Sequence, residues 1–231
     1  MNWLDVSDLT ELSALFNGIT DITVDISGWD VRNVTKLWKT FEKSNIEFDA
    51  SDWELINCEE LDGTFHEAQQ ISKSIETWKF GKLKSMRQCF DGIESEYFFP
   101  DLSKWNVSTV EDLSWCFSNA NISGILSASI NGLNIKNVTN LDHCFYNTKG
   151  YMDLSGWQLN KKKSVYLTCM FKDSNIYDAN IKEWNVKKVQ SLVSTFDFSN
   201  YEEDLSTWTS QMSPKAIKTI NNMVAKKIFK L

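Results

Sequence analysis

Five cysteines, two histidines and a recurring aspartate are the residues of this 231-residue chain whose types could do chemistry. Cys58, Cys89, Cys116, Cys144 and Cys169 lie about 25 residues apart and none belongs to a C-x-x-C pair. An odd count at such spacing fits reduced, buried thiols better than a disulfide framework or a zinc site. Cys89, Cys116 and Cys144 each immediately precede a phenylalanine, and the equivalent places elsewhere hold Leu15, Thr40, Thr64, Met170 and Thr195. A small or apolar residue wedged between packed elements explains all eight. A metal or redox ladder would have to bridge helices about 8–10 Å apart, too far for direct bonding. His66 and His143 fall in different parts of the chain. His143-Cys144 cannot act as a dyad on a helix, because adjacent side chains diverge by about 100°. Asp25, Asp101, Asp153 and Asp204 each stand two residues before a serine. Turn capping accounts for them; a calcium ladder would use a Gly-rich nonapeptide that is absent. The expectation is therefore no catalytic constellation, no metal and no cofactor.

The elements that must position these residues form a repeat. Trp29, Trp53, Trp78, Trp105, Trp157, Trp184 and Trp208 are separated by 24, 25, 27, 52, 27 and 24 residues, with Leu133 in the Trp place inside the long gap and Leu4 in that place at the start. Twelve residues after Leu4, Trp29, Trp53, Trp78, Trp105, Leu133 and Trp184 come Phe16, Phe41, Phe65, Phe90, Phe117, Phe145 and Phe196; the Trp157 unit carries two extra residues and reaches Phe171. Within a unit, the segment around Asp101-Leu102-Ser103-Lys104-Trp105 predicts a short strand and turn. Val110, Leu113 and Phe117 fall at i, i+3 and i+7, which predicts a helix of about two turns. Thr109 with Asp112, and Asn57 with Glu60, resemble capping boxes. Asn45, Asn121, Asn175 and Asn200, four residues past each Phe, suit a left-handed helix end. Neither so short a helix nor a lone strand is stable alone. Stacking about eight strand–turn–short-helix coils of roughly 25 residues gives an α/β solenoid with a parallel sheet and continuous Trp and Phe ladders. The expected layout is one domain: a solenoid over residues 1–212 with an atypical, cap-like first unit, then an amphipathic capping helix over 213–231. That helix starts at Ser213-Pro214 and presents Ile217, Ile220, Met223, Val224 and Phe229.

Surface candidates are the aromatics outside this register. Trp115, two past the inward Leu113, should face outward, and Tyr97, Phe98 and Phe99 occupy a longer connection; together they suggest a contact patch. Extra residues also collect at 122–130 and at Lys161, Lys162 and Lys163, a run that could meet an acidic partner.

Composition bounds the rest. The net charge is −7, with 42% hydrophobic and 24% charged residues, 10 Trp and only 2 Pro. This is a globular composition. The acidic balance disfavours nucleic acid and anionic membranes as partners. No apolar run of membrane-spanning length and no signal-peptide pattern is present, so the expected location is cytoplasmic.

The string Asp25-Ile26-Ser27-Gly28-Trp29-Asp30-Val31-Arg32-Asn33-Val34-Thr35-Lys36-Leu37, with Phe41, resembles the BspA-type leucine-rich-repeat family in its mycoplasma surface-lipoprotein variant; residues 102–117 and 181–196 match nearly as well. The resemblance implies a leucine-rich-repeat-like right-handed solenoid that binds rather than catalyses. The function expected is a non-enzymatic protein–protein interaction module with another protein as partner. Two alternatives are an inhibitor or nucleic-acid mimic using an acidic face, and a surface adhesin whose export signal is absent.

Overall fold

A 25-residue coil has too few internal bonds to hold its shape, so its conformation is decided at the junction with the next coil. The computed structural model describes residues 4–94, 99–122, 124–220 and 227–230. Parallel bridges link Glu11, Lys36, Glu60, Ser85, Asp112, Asn140 and Tyr166 in succession, and Tyr166 pairs on to Ser191. Eight coils thus stack in seven steps as a β-solenoid. The strands are short: β1 Thr20–Asp25, β2 Asn45–Asp49, β3 Asn121–Ile122, β4 Lys149–Tyr151, β5 Val165–Tyr166, β6 Asn175–Tyr177 and β7 Val189–Ser191. They pair in parallel as β1-β2, β3-β4-β6 and β5-β7. Helix is scarce: α1 Gly124–Asn131, α2 Ser206–Thr209, α3 Pro214–Ile217 and a 3-10 turn, Lys73–Thr77.

The core is the double aromatic ladder that the spacing predicts. Successive Phe rings from Phe16 to Phe196 stack 5.4–5.8 Å apart. Trp29, Trp53, Trp78 and Trp105 stack at 5.5–6.2 Å, as do Trp157, Trp184 and Trp208 at 6.1 Å. Leu133 fills the gap, 3% exposed. Tryptophan suits its place because the indole N–H also ties coils together. Trp53, Trp78, Trp105 and Trp157 donate to the carbonyls of Ile26, Ala50, Ile75 and Ile130 in the preceding coil at 2.7–3.1 Å.

The helical half of the repeat needs correction. Residues 114–119 and their equivalents are runs of turns, not a two-turn helix. Every second N–H bonds within the run, as Thr40 to Leu37 and Ser44 to Phe41 do, while the others reach the next coil. Four such N–H groups per coil donate forward at 2.7–3.4 Å across each of the seven junctions. A helix would close these bonds internally. The flat run spends them between coils, and still turns Leu113, Cys116 and Phe117 inward. Its geometry needs left-handed residues two before the Phe (Ala14, Lys39, Gly63, Gln88, Trp115, His143, Cys169, Ser194) and two after it (Gly18, Lys43, Glu67, Gly92, Asn119, Asn147, Asp173, Phe198), with φ from +50° to +74°. Only three of the sixteen are glycine. Each non-glycine residue there carries roughly 1–2 kcal/mol of steric cost, which the junction bonds offset.

Three smaller expectations shift with it. The capping-box pairs work between coils instead: Thr109 Oγ1 donates to the Leu83 carbonyl at 2.7 Å, and Asn57 Nδ2 to the Arg32 carbonyl at 2.8 Å. Asn45, Asn121 and Asn175 open strands, and none of the four asparagines is left-handed; that conformation falls two residues earlier. The strands lie before the Trp place (β1, β2, β3, β4 and β6) or after it (β5 and β7) rather than containing it, and the Trp segment is a turn, closed by Trp105 N–H to the Leu102 carbonyl at 2.9 Å.

In the C-terminal segment, where a continuous amphipathic helix over 213–231 is expected, α3 is a single turn. Ser213 caps it by accepting from Ala216 N–H at 3.2 Å, with Pro214 in the first turn. Thr219 Oγ1 accepts from Leu192 N–H at 2.8 Å. Helix resumes at 227–229, where Phe229 packs on Phe196 and Trp208 at 6.1 and 6.0 Å. Met223 and Val224 lie outside the described residues. Leu4, given the Trp place, is 46% exposed and does not join the ladder.

Candidate functional site

With Leu, Phe and the residue before Phe turned inward, the remaining positions of each turn run form one outward face along the solenoid. Its composition changes along the axis.

From coil 2 to coil 5 the face is mainly charged and internally bonded, with one exposed aromatic, Trp38 on coil 2, whose ring lies 5.5 Å from Lys39 Nζ. Lys36 pairs with Glu60 at 3.1 Å and Lys43 with Glu67 at 3.5 Å. Glu42, nearly buried, accepts from Asn17 at 2.6 Å and Lys39 at 2.9 Å and meets His66 Nδ1 at 2.8 Å. Burial pushes its carboxyl up, but these bonds outweigh it and hold the group below its ordinary value. Asp91 accepts from Ser118 Oγ and from Asn119 Nδ2 at 2.8 Å, with His66 Nε2 3.6 Å away. Because Ser118 bonds the carboxylate and not the imidazole, no nucleophile–base pair results.

From coil 5 onwards the face turns aromatic. Trp115 and His143 occupy the same place in consecutive coils, both left-handed, and their rings stack at 4.0 Å and 5°. Tyr146 leans against both, at 5.5 and 5.8 Å. Burial lowers the His143 pKa, so the stacked ring is neutral at neutral pH. Its Nδ1 is buried with no hydrogen-bond partner among the described residues. A hydrogen bond to Asp173 raises the Tyr146 phenol. Farther on, Phe198 is 80% exposed. On the strand face, Tyr151 and Tyr177 pair across β4 and β6, both half-exposed. Tyr146, Tyr151, Tyr177 and Phe198 were missed by sequence reasoning that followed only the Trp and Phe places; counting outward from each Phe would have found Tyr146 and Phe198.

Of the sequence-predicted surface residues, Trp115 sits on this face, only partly covered by its neighbours. Phe99 does not belong to a surface patch: it is buried and packs edge-on against Phe90 at 5.3 Å. Tyr97 and Phe98 lie outside the described residues. Lys161, Lys162 and Lys163 are exposed. Asn160 Oδ1 holds their loop by accepting from Lys162 and Lys163 N–H at 2.9 Å, and Lys163 Nζ reaches Glu111 at 2.7 Å. Lys161 borders an open groove of about 670 Å³ that Trp157, Trp184, Asn180 and Glu183 also line. Among the described residues no hydrogen bond, ion pair or ring contact joins the lysine run to Trp115.

The candidate chemistry residues take structural places. Cys58, Cys89, Cys116 and Cys144 are buried, and burial pushes their thiols up, Cys58 to about 12. Cys169, partly exposed, is raised for the same reason. Where threonine replaces cysteine, its hydroxyl bonds a carbonyl of the previous coil, as Thr64 does to Leu37 at 2.9 Å. Asp25, Asp101, Asp153 and Asp204 each accept from the N–H of the serine two residues on, at 2.9–3.1 Å. Among the described residues no cluster of three His, Cys, Asp or Glu could hold a metal ion, and no helix is long and apolar enough to cross a membrane.

No curated protein and no solved structure matches this chain. One family profile matches three times, over residues 1–96, 64–169 and 125–228. Those overlapping matches follow the coils from end to end, and the chain belongs to the family described as "Mycoplasma protein of unknown function, DUF285".

Proposed function

We propose that this chain is a non-catalytic protein-binding module whose contact centre is the aromatic half of the turn face, around Trp115, His143 and Tyr146. The partner is another protein, not nucleic acid or membrane. The observation that carries this reading is the stacked Trp115–His143 pair, held in place by backbone bonds on both coils: Trp115 N–H to Asp142 and His143 N–H to Thr168, at 3.0 and 2.8 Å. A surface ordered before contact spends little entropy on association, and Trp and Tyr are the residues that most often anchor interfaces. The internally satisfied charges of coils 2 to 5 favour this apolar docking over an acidic mimic. Five unpaired cysteines support a reducing, cytoplasmic setting. Kinship with the BspA-type repeats belongs to the same proposal and rests on the Asp-Ile-Ser-Gly-Trp string.

The test is partner capture with the intact chain, compared with a Trp115→Asp, Tyr146→Asp variant and a Lys162→Glu control. Circular dichroism checks that all three fold. Loss of the captured protein with the first variant and its retention with the control are expected. Equal capture by all three would remove the aromatic cluster from the interface.

A further inference from the structure

Charge is unevenly divided along the rod. Residues 1–134 carry 22 acidic and 10 basic side chains, whereas residues 135–231 carry 9 and 14. In coils 2 to 4 the cations are engaged within the chain: Arg32, Lys36, Lys39, Lys43, Lys79 and Lys84 each meet a carboxylate at 2.7–3.5 Å.

The later cations are arranged differently. A tight turn follows the Trp place, closed by Val138 N–H to the Ile135 carbonyl at 2.9 Å in coil 6 and by Val189 N–H to the Val186 carbonyl at 3.0 Å in coil 8. Lys136 stands at the tip of the first, and Lys187 and Lys188 at the tip of the second. Between them, coil 7 carries its extra residues at the same corner, as Lys161, Lys162 and Lys163. All six are exposed. Bonds between coils align the three tips: Asn160 Nδ2 donates to the Asn137 carbonyl at 3.2 Å, and Val165 pairs with Val189. Gln211 Oε1 accepts from Val186 N–H at 3.3 Å, which brings the segment that holds Lys215 alongside.

Like charges in layers about 4.8 Å apart repel, so this ridge lowers the stability of the stack. No acidic residue occurs in 158–168, 185–196 or 205–220 to relieve it. Of the six tip lysines, only Lys163 has an ion pair among the described residues, with Glu111. Asp142 is taken by Thr168 N–H at 2.7 Å, and Glu183 and Glu203 line the groove beside the ridge together with Lys161 and Lys182. The same place in coils 2 to 5 holds Arg32, already paired with Asp30, then Ile56, Gly81 and Ser108. The ridge is therefore a feature of three coils and not a requirement of the repeat.

We propose that this lysine ridge binds a short acidic segment of a partner protein, its Asp and Glu side chains laid across the turn tips of coils 6 to 8. The extent of the ridge decides between polyanions. Three tips and the adjoining segment span about 15 Å. A nucleic-acid duplex or an anionic membrane extends well beyond that and would meet the net negative coils 1 to 5. A segment of six to eight residues, about 20–26 Å when extended, stays on the ridge. This is a second site with its own occupant, and it does not depend on the aromatic cluster.

The probe is a fluorescently labelled octaglutamate peptide, titrated with the intact protein and followed by anisotropy. Saturable binding is expected in about 50 mM salt, weakened at least about fivefold in 500 mM. Lys162→Glu with Lys187→Glu should weaken it by about tenfold or more. Lys82→Glu with Lys104→Glu makes the same change in net charge on coils 4 and 5 and should leave the affinity within about twofold, as should Trp115→Ser, all with circular dichroism unchanged. No saturable binding up to about 1 mM would overturn the proposal. So would an equal loss with the two charge reversals, which would leave only net charge at work, or a loss with Trp115→Ser, which would move the peptide to the aromatic face. Tighter binding of duplex DNA or of phosphatidylserine vesicles, lost with Lys162→Glu and Lys187→Glu, would also overturn it, because the ridge would then belong to a phosphate-bearing partner.

Discussion

Trp115 and His143 are 28 residues apart and meet only because each stands two before its coil's Phe. The pairing of His143 with Cys144 that adjacency suggests does not occur: Cys144 points into the core and His143 out of it. Burial holds the His143 pKa below the ordinary imidazole value of about 6.5. Unfolding therefore takes up a proton between the two values. Stability rises with pH through that window and falls as the pH drops below the unfolded value. His143→Gln should flatten this part of the curve. Urea unfolding at about pH 5 and pH 7.5 should show the variant losing less stability on acidification than the native chain. Equal losses would mean that the imidazole is not desolvated. Backbone strain is also a residue-scale property. Ala14 is exposed and left-handed at φ +55°, so Ala14→Gly should raise stability by up to about 1 kcal/mol. Gly150, at φ +110°, would place a Cβ 1.9 Å from the Ile122 carbonyl oxygen. Gly150→Ala should accordingly break the β3–β4 pairing and cost several kcal/mol, on the order of a severe core lesion.

At the scale of the element, the ladders were legible and the turn run was not. Large aromatics at fixed spacing have one economical explanation, and the rings stack as that spacing requires. Val110, Leu113 and Phe117 carry a spacing shared by a short helix and by a run of turns, since both bring every third or fourth residue to one side. What separates the two is where alternate N–H groups go, and this is a property of the neighbouring coil. Thr109 and Asn57 were misread for the same reason: their side chains reach a carbonyl one coil earlier. The surface was legible only in part. Trp115 stood out by type, but no local pattern marks Phe99 as packing inward on Phe90. Trp105 tests the element directly. Trp105→Ala should cost about 3–5 kcal/mol. Trp105→Phe should keep much of the stacking but leave the Ile75 carbonyl without its indole donor, for about 1–3 kcal/mol. Denaturant midpoints that did not separate the two variants would remove the indole hydrogen bond from the energetics.

The whole molecule is a one-dimensional stack in which the backbone bonds of the turn runs join neighbouring coils, with the exposed Lys163–Glu111 pair reaching across one coil, so coils should be removable in register. Asp62 and Arg87 hold equivalent places one coil apart, and both carbonyls serve the same donor position. Deleting residues 63–87 should leave a folded, cooperatively unfolding chain with a smaller denaturant slope. The same deletion displaced by five residues should not fold. The central claim is the register itself, and cross-linking measures it most directly. Lys36 and Glu60 are bridge partners on the exposed face, and parallel neighbours sit about 4.8 Å apart, within disulfide reach. Lys36→Cys with Glu60→Cys should oxidise readily to an intramolecular disulfide, against a low background because four of the five native thiols are buried. Lys36→Cys with Asp112→Cys, three coils apart, should stay reduced. Closure of the distant pair while the adjacent pair remains open would contradict the stacked solenoid.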